Sequence, residues 1–120
     1  MLPIKIKKYN PNMLQQKLQE NVNEISTIVI NSKDRFESSL TEKNMTWVQE
    51  EGFAKQILGK VDRNRLCYAG TLALSNPNSV MEAITNVGAI GITLNPALKY
   101  AYLVPRDSKI CLDISYRGLM

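Results

Sequence analysis

The residues best suited to chemistry in this 120-residue chain lie in its last stretch, "NPALKYAYLVPRDSKICLDISYRGLM", Asn95 to Met120. Lys99, Arg106, Lys109 and Arg117 are interleaved there with Tyr100 and Tyr102. Cations and aromatic rings on one surface suit a nucleic-acid strand. Bases stack on aromatic faces for roughly 1–3 kcal/mol each, whatever their sequence. Lysine and arginine neutralise phosphates, with a salt slope of about −0.7 per contact for single strands. A plainer reading stands beside this one, because half-buried sheets commonly turn polar residues and tyrosines outward.

The elements that position these groups follow from periodicity. Tyr100 to Val104 and Lys109 to Arg117 alternate in twos, which is strand behaviour, with Pro105-Arg106-Asp107-Ser108 as turn residues between them. A four-residue turn pairs Val104 with Lys109, Tyr102 with Cys111 and Tyr100 with Asp113. One face then carries Tyr100, Tyr102, Val104, Lys109, Cys111, Asp113, Ser115 and Arg117. The other, with Ala101, Leu103, Ile110, Leu112, Ile114 and Tyr116, is the core face. A one-residue slip would exchange the two.

Upstream, the spacing predicts four helices. The first starts at Asn10-Pro11, with Asn10 as cap and Pro11 in the first turn. Leu14, Leu18, Val22, Ile25, Ile28 and Val29 give it one apolar stripe, and it ends near 31–36. The second begins at Thr46, with Gln49 completing a capping box. Val48, Ala54, Ile57 and Leu58 form its apolar side and Gly59 its stop. The third is expected over "VDRNRLCYAGTLALSNP" with Asp62 as cap, its small residues Ala69, Gly70 and Ala73 suiting close approach to another helix. The fourth is "NSVMEAITNVGAIG", with Ser79 and Glu82 as a capping box and Gly91 closing it in the left-handed conformation. Residues 1–10 alternate apolar and basic and read as a basic arm or an edge strand. Lys5, Lys7 and Lys8 there are either a non-specific DNA arm or a solvated tail.

Composition bounds the function. The hydrophobic fraction of 44% and charged fraction of 22% are ordinary for one globular domain. The net charge is +4 and the pI about 9.1, a mild basic bias compatible with polyanions. Half of that excess lies in Asn95 to Met120, while Val61 to Leu94 is neutral. With two cysteines and no histidine, a zinc site, and a Ser-His or Cys-His nucleophile within this chain, are not expected. Cys67 and Cys111 read as small buried hydrophobes in a reducing cytoplasm. No Gly-rich phosphate loop is present, and no cofactor or metal is expected. Glu50 and Glu51 adjoin on a helix, so they diverge and read as a solvated face. No signal peptide or apolar run of roughly 18 residues occurs, so no membrane partner is expected.

"NVGAIGITLNPALKYAYLVPRDSKICLDISYRGLM" resembles the RecT family of phage recombination proteins, which is related to the Red-beta annealing proteins. The resemblance is carried by an ordered series. A helix ends at Ala89-Ile90-Gly91-Ile92, an Asn95-Pro96 loop follows, then an "AYLVP" strand at Ala101 to Pro105, a polar turn, and "LDISYRGLM" at Leu112 to Met120. Upstream, "LALSNPNSVMEAITNVGAIG" matches the family's helix-loop-helix. The match covers Asn64 to Met120; before Lys60 it rests only on a variable helical region.

The resemblance implies a non-enzymatic, ATP-independent protein that binds single-stranded DNA. It would anneal complementary strands in phage or prophage recombination and DNA repair, in the cytoplasm of a bacterial host. It implies rings or filaments as working forms and a partner exonuclease that makes the single strands. The implied fold is α+β: N-terminal helices followed by a β-hairpin, an incomplete annealing-protein core of β-β-β-α type. The divisions are an arm at 1–10, a variable helical region at 11–60, and the truncated core at 61–120. Carried over, the resemblance nominates Lys99, Arg106, Lys109 and Arg117 for phosphates and Tyr100 and Tyr102 for stacking. Arg117 reads equally as a partner of Asp113. Tyr116 is assigned a structural role. Family members continue past "RGL" with more helix and strand, so this chain is expected to be an N-terminal fragment or the product of a truncated gene. Its open hairpin is then expected to self-associate or fray. A second class of function remains in view, an assembly or protein-interaction module that contacts no DNA itself.

Overall fold

The computed structural model describes residues 11–42 and 44–115. In chain order they form α1 (Pro11–Ile30), α2 (Lys33–Ser39), α3 (Trp47–Leu58), β1 (Val61–Asp62), β2 (Arg65–Leu66), α4 (Tyr68–Ser75), α5 (Pro77–Ile90), β3 (Ala101–Arg106) and β4 (Lys109–Ile114). The class is α+β as expected, with two antiparallel hairpins, β1–β2 and β3–β4. The arm or edge strand expected over 1–10 lies outside the described residues, as do Tyr116 and Arg117. No helix among the described residues is long and apolar enough to cross a membrane.

The expected stripe of α1 is buried only along its second half. Ile25, Ile28 and Val29 are in the core, whereas Leu14 is 63% exposed. Leu18 and Val22 are half-buried between them. The helix also stops earlier than the longest reading of its period. The chain turns at Asn31-Ser32 and restarts as α2, with the buried Ser32 hydroxyl donating to the Ile28 carbonyl (3.2 Å). A serine that bonds back four residues competes with helix continuation. α2 delivers Phe36, fully buried, against Trp47 at the start of α3, with ring centroids 5.4 Å apart and planes tilted by 53°. A tilted pair of this kind suits the ring quadrupoles.

α3 begins as the capping signal requires. The Thr46 hydroxyl accepts the Gln49 N–H (3.4 Å), and Gly59 closes the helix. Its buried side is Trp47, Glu50, Ala54 and Leu58, which recur at three- and four-residue steps. Val48 is therefore out of phase with them, and it is 79% exposed rather than core.

The third expected helix is half hairpin. Val61 pairs with Leu66 and Asp62 with Arg65, around Arg63 and Asn64, both at positive φ (52° and 63°). Two consecutive residues of that kind define a type I′ connection, whose twist matches antiparallel strands. Helix α4 starts only at Tyr68, and its cap is Cys67 rather than Asp62. The Cys67 sulfur accepts the Gly70 N–H at 3.3 Å. Cys67 is half-buried and not the enclosed hydrophobe expected. The small residues of α4 do serve close approach. A Cβ on Gly70 would fall 2.5 Å from the Leu58 carbonyl oxygen, closer than real side chains come.

Helix α5 follows after a single residue. Asn76 caps it, its side chain accepting the Ser79 N–H (3.3 Å) with Pro77 in the first turn, so the cap lies three residues before the Ser79 that was expected to provide it. Val80, Ala83, Ile84 and Val87 are buried along one side. Gly91 ends the helix at φ 79°, as expected for a left-handed cap.

Candidate nucleic-acid interface

The β3–β4 hairpin keeps the two faces expected but changes partners. Ala101 pairs with Ile114, Tyr102 with Asp113, Leu103 with Leu112, Val104 with Cys111, Pro105 with Ile110 and Arg106 with Lys109. The turn is two residues, Asp107 and Ser108, both at positive φ, instead of four. The register is thus shifted by two residues, and a two-residue shift leaves every side chain on its own face. Pro105 belongs to the strand. The Ile110 N–H points away from β3, donating to the Ser79 hydroxyl at 2.9 Å. In an antiparallel ladder the residue opposite it also faces outward, so Pro105 forfeits no ladder bond there.

The inner face is the floor of the core, with Ala101, Leu103 and Ile110 at 1–3% exposure. The outer face carries Tyr102, Val104, Arg106, Lys109, Cys111 and Asp113. Tyr102 is 38% exposed, and Arg106 and Lys109 are exposed beside the turn. Arg106 lies 3.6 Å from Asp113. That pairing offsets one of the cations, while the Arg117–Asp113 alternative lies outside the described residues. Exposed pairs of this kind contribute little to stability.

Lys99 and Tyr100 precede the strand. Lys99 is exposed with φ 57°, and its carbonyl accepts the Ser115 hydroxyl. The Ser115 N–H donates to the Tyr100 carbonyl at 2.9 Å, which carries the pairing one step past β3. Tyr100, 36% exposed, borders a cleft of about 490 Å³ with Gln49, Glu50, Asn95 and Leu98. Among the described residues no cation lines this cleft, whereas Glu42 and Glu50 do. Of the six candidates, the structure brings Tyr102, Arg106 and Lys109 together on one face. It places Lys99 and Tyr100 at the adjoining edge, and Arg117 lies outside the described residues.

The sequence reading missed Glu50. It is 2% exposed, and its carboxylate accepts the Leu94 N–H (2.7 Å) and the Thr93 hydroxyl. A buried carboxylate must be satisfied in this way to be tolerated. Glu50 thereby fixes the loop from Gly91 to Asn95 that leads into the tyrosines. Its neighbour Glu51 behaves as expected of a surface residue. It pairs with Lys55 at 2.9 Å, and the hydrogen bond from that ammonium holds its carboxyl below the usual range. The signal for Glu50 was present, since it shares the three- and four-residue spacing of Trp47, Ala54 and Leu58.

No family model, curated protein or solved structure matches this chain.

Proposed function

We propose that this chain binds single-stranded DNA and promotes annealing of complementary strands without ATP, as an annealing protein of the RecT type. The reading is supported most by one face of the β3–β4 hairpin, where Tyr102 lies with Arg106 and Lys109, exposed, above a strand pair whose other side is core. A rigid sheet with aromatic rings and cations outward offers stacking and phosphate contact together. Self-association into rings or filaments and a partner exonuclease belong to the same proposal, as does work in phage-type recombination in a bacterial cytoplasm.

The test is binding of fluorescent oligo-dT by the full chain across a salt series, with an annealing assay of complementary oligonucleotides lacking nucleotide cofactor. Binding that weakens as salt rises is expected. The double variant Lys99→Gln with Lys109→Gln should lower affinity at 100 mM salt by about 25-fold, at roughly fivefold per lost contact. Absence of binding at 50 mM salt would defeat the proposal. The assembly-module reading would then gain ground, since Met13 and Leu14 on α1 are 58% and 63% exposed. Sedimentation showing self-association without DNA binding is the result that would favour it.

A further inference from the structure

We propose that the β1–β2 hairpin is a second phosphate-contact site for the same single nucleic-acid strand, with Lys60, Arg63 and Arg65 as its cations and Tyr68 as the adjoining ring. This rests on the single-strand reading above and extends it to a region with no assigned role.

Four observations carry the site. First, the hairpin gathers its cations on one side. The Cys67 N–H donates to the Lys60 carbonyl at 2.9 Å, so pairing continues below Val61 and Leu66. Alternation then sets Lys60, Asp62 and Arg65 on one face and Val61 and Leu66 on the other. Arg63 occupies the turn beside them, and these residues line a groove of about 780 Å³. Second, the cations have no ion-pair partner among the described residues. Lys60, Arg63 and Arg65 are exposed, and the ion pairs found among the described residues are Lys55–Glu51 and Arg106–Asp113. Asp62 stands opposite Arg65 without forming one.

Third, the hairpin is tied to the core at one point. Leu66 packs against the core cluster, next to the Gly70–Leu58 contact, so the arginines stand beside that anchor. The first turn position is filled by Arg63 at φ 52°, where asparagine, aspartate or glycine is preferred. A non-glycine residue kept in the left-handed region is a pointer to use of that position. Fourth, Tyr68 is 66% exposed at the first residue of α4, directly after the hairpin. Free cations beside an exposed ring suit phosphates and bases together, which an acidic protein partner would not require.

The experiment uses the full chain and a fluorescein-labelled 30-nucleotide oligo-dT, titrated from 50 to 300 mM NaCl. The variant Lys60→Gln/Arg63→Gly/Arg65→Gln keeps two side-chain stems and suits glycine to the positive φ. If all three contact phosphate, the salt slope should become shallower by about 2 and affinity at 100 mM salt should fall by about 100-fold, with an unchanged circular-dichroism spectrum. Should that variant not fold, Arg65→Gln alone is expected to cost about fivefold. Tyr68→Leu should weaken binding without altering the slope. Wild-type affinity and slope in the hairpin variant, alongside weakened binding in Lys99→Gln/Lys109→Gln, would overturn the hairpin site and leave the single-strand reading intact. A wild-type chain that does not bind oligo-dT at 50 mM salt overturns both. Binding of a polyglutamate peptide through the hairpin, with oligo-dT binding independent of it, overturns the site in favour of an acidic protein partner.

Discussion

Both hairpins turn through two residues at positive φ, Arg63-Asn64 in β1–β2 and Asp107-Ser108 in β3–β4, yet they are held by different means. The second lays three residues of at most 3% exposure against the helices, and its open edge is caught by the Ser79 hydroxyl. The first has two residues per strand and anchors through the half-buried Leu66, its Val61 being 41% exposed. Their charges differ in the opposite sense. The well-anchored hairpin has Arg106 paired with Asp113, whereas the cations of the small one have no ion-pair partner among the described residues. Packing and charge are therefore allotted separately. Burial decides which hairpin the fold depends on, and free cations decide which attracts a polyanion more strongly.

The largest expected effect tests that division directly. Leu103→Ala should destabilise the chain by about 2–5 kcal/mol, the usual cost of truncating a buried leucine. Val61→Ala should stay within about 0.5 kcal/mol. Urea unfolding midpoints read both, and equal losses would erase the distinction. Next comes the loop that feeds β3. Glu50→Ala leaves the Leu94 N–H without its acceptor and should cost about 2–3 kcal/mol, against a few tenths for Glu51→Ala, whose pair with Lys55 is an i,i+4 helix pair at the surface, half-buried. Ser79→Ala, which orphans the Ile110 N–H, should cost about 1–2 kcal/mol and should speed amide exchange at Ile110 ahead of Arg65. Relieving the strained turn sharpens the contrast from the other side. Ser108→Gly is expected to stabilise by about 0.5–1 kcal/mol, visible as a small rise in Tm. Asp113→Asn should likewise change stability by no more than about 0.5 kcal/mol. It frees Arg106, and oligo-dT affinity at 100 mM salt should rise up to about fivefold.

Much of the β3–β4 face was legible in the sequence because strand period is two. Leu103, Ile110 and Leu112 could not share a side with Tyr102 and Lys109 under any even register. The register itself was not legible. Pro105 is a common turn residue, and only the outward direction of its ring nitrogen, set by the pairing around it, allows it within the strand. The N-terminal cap of α3 and the C-terminal cap of α5 could be read because Thr46 and Gly91 act within a few residues of themselves. "VDRNRL" was misread because arginine at a type I′ position gives no turn signal and Asp62 imitates a helix cap. That error also hid Lys60, Arg63 and Arg65. Averaged over Val61 to Leu94 the charge is zero, and a helix would have spread the two arginines over different faces.

The thiol that caps α4 has a practical consequence. Cys67 accepts from Gly70 and faces the Ile57 and Leu58 carbonyls at 3.7 and 3.6 Å, yet it is half-buried and borders the groove of the small hairpin, so a reagent in that groove reaches it. Cys111 sits midway along β4. Each hairpin thus carries one half-buried native thiol, and the chain holds a pair of built-in footprinting probes. Timed alkylation, resolved by peptide mass and repeated with oligo-dT present, would show which of the two hairpins a bound strand shields.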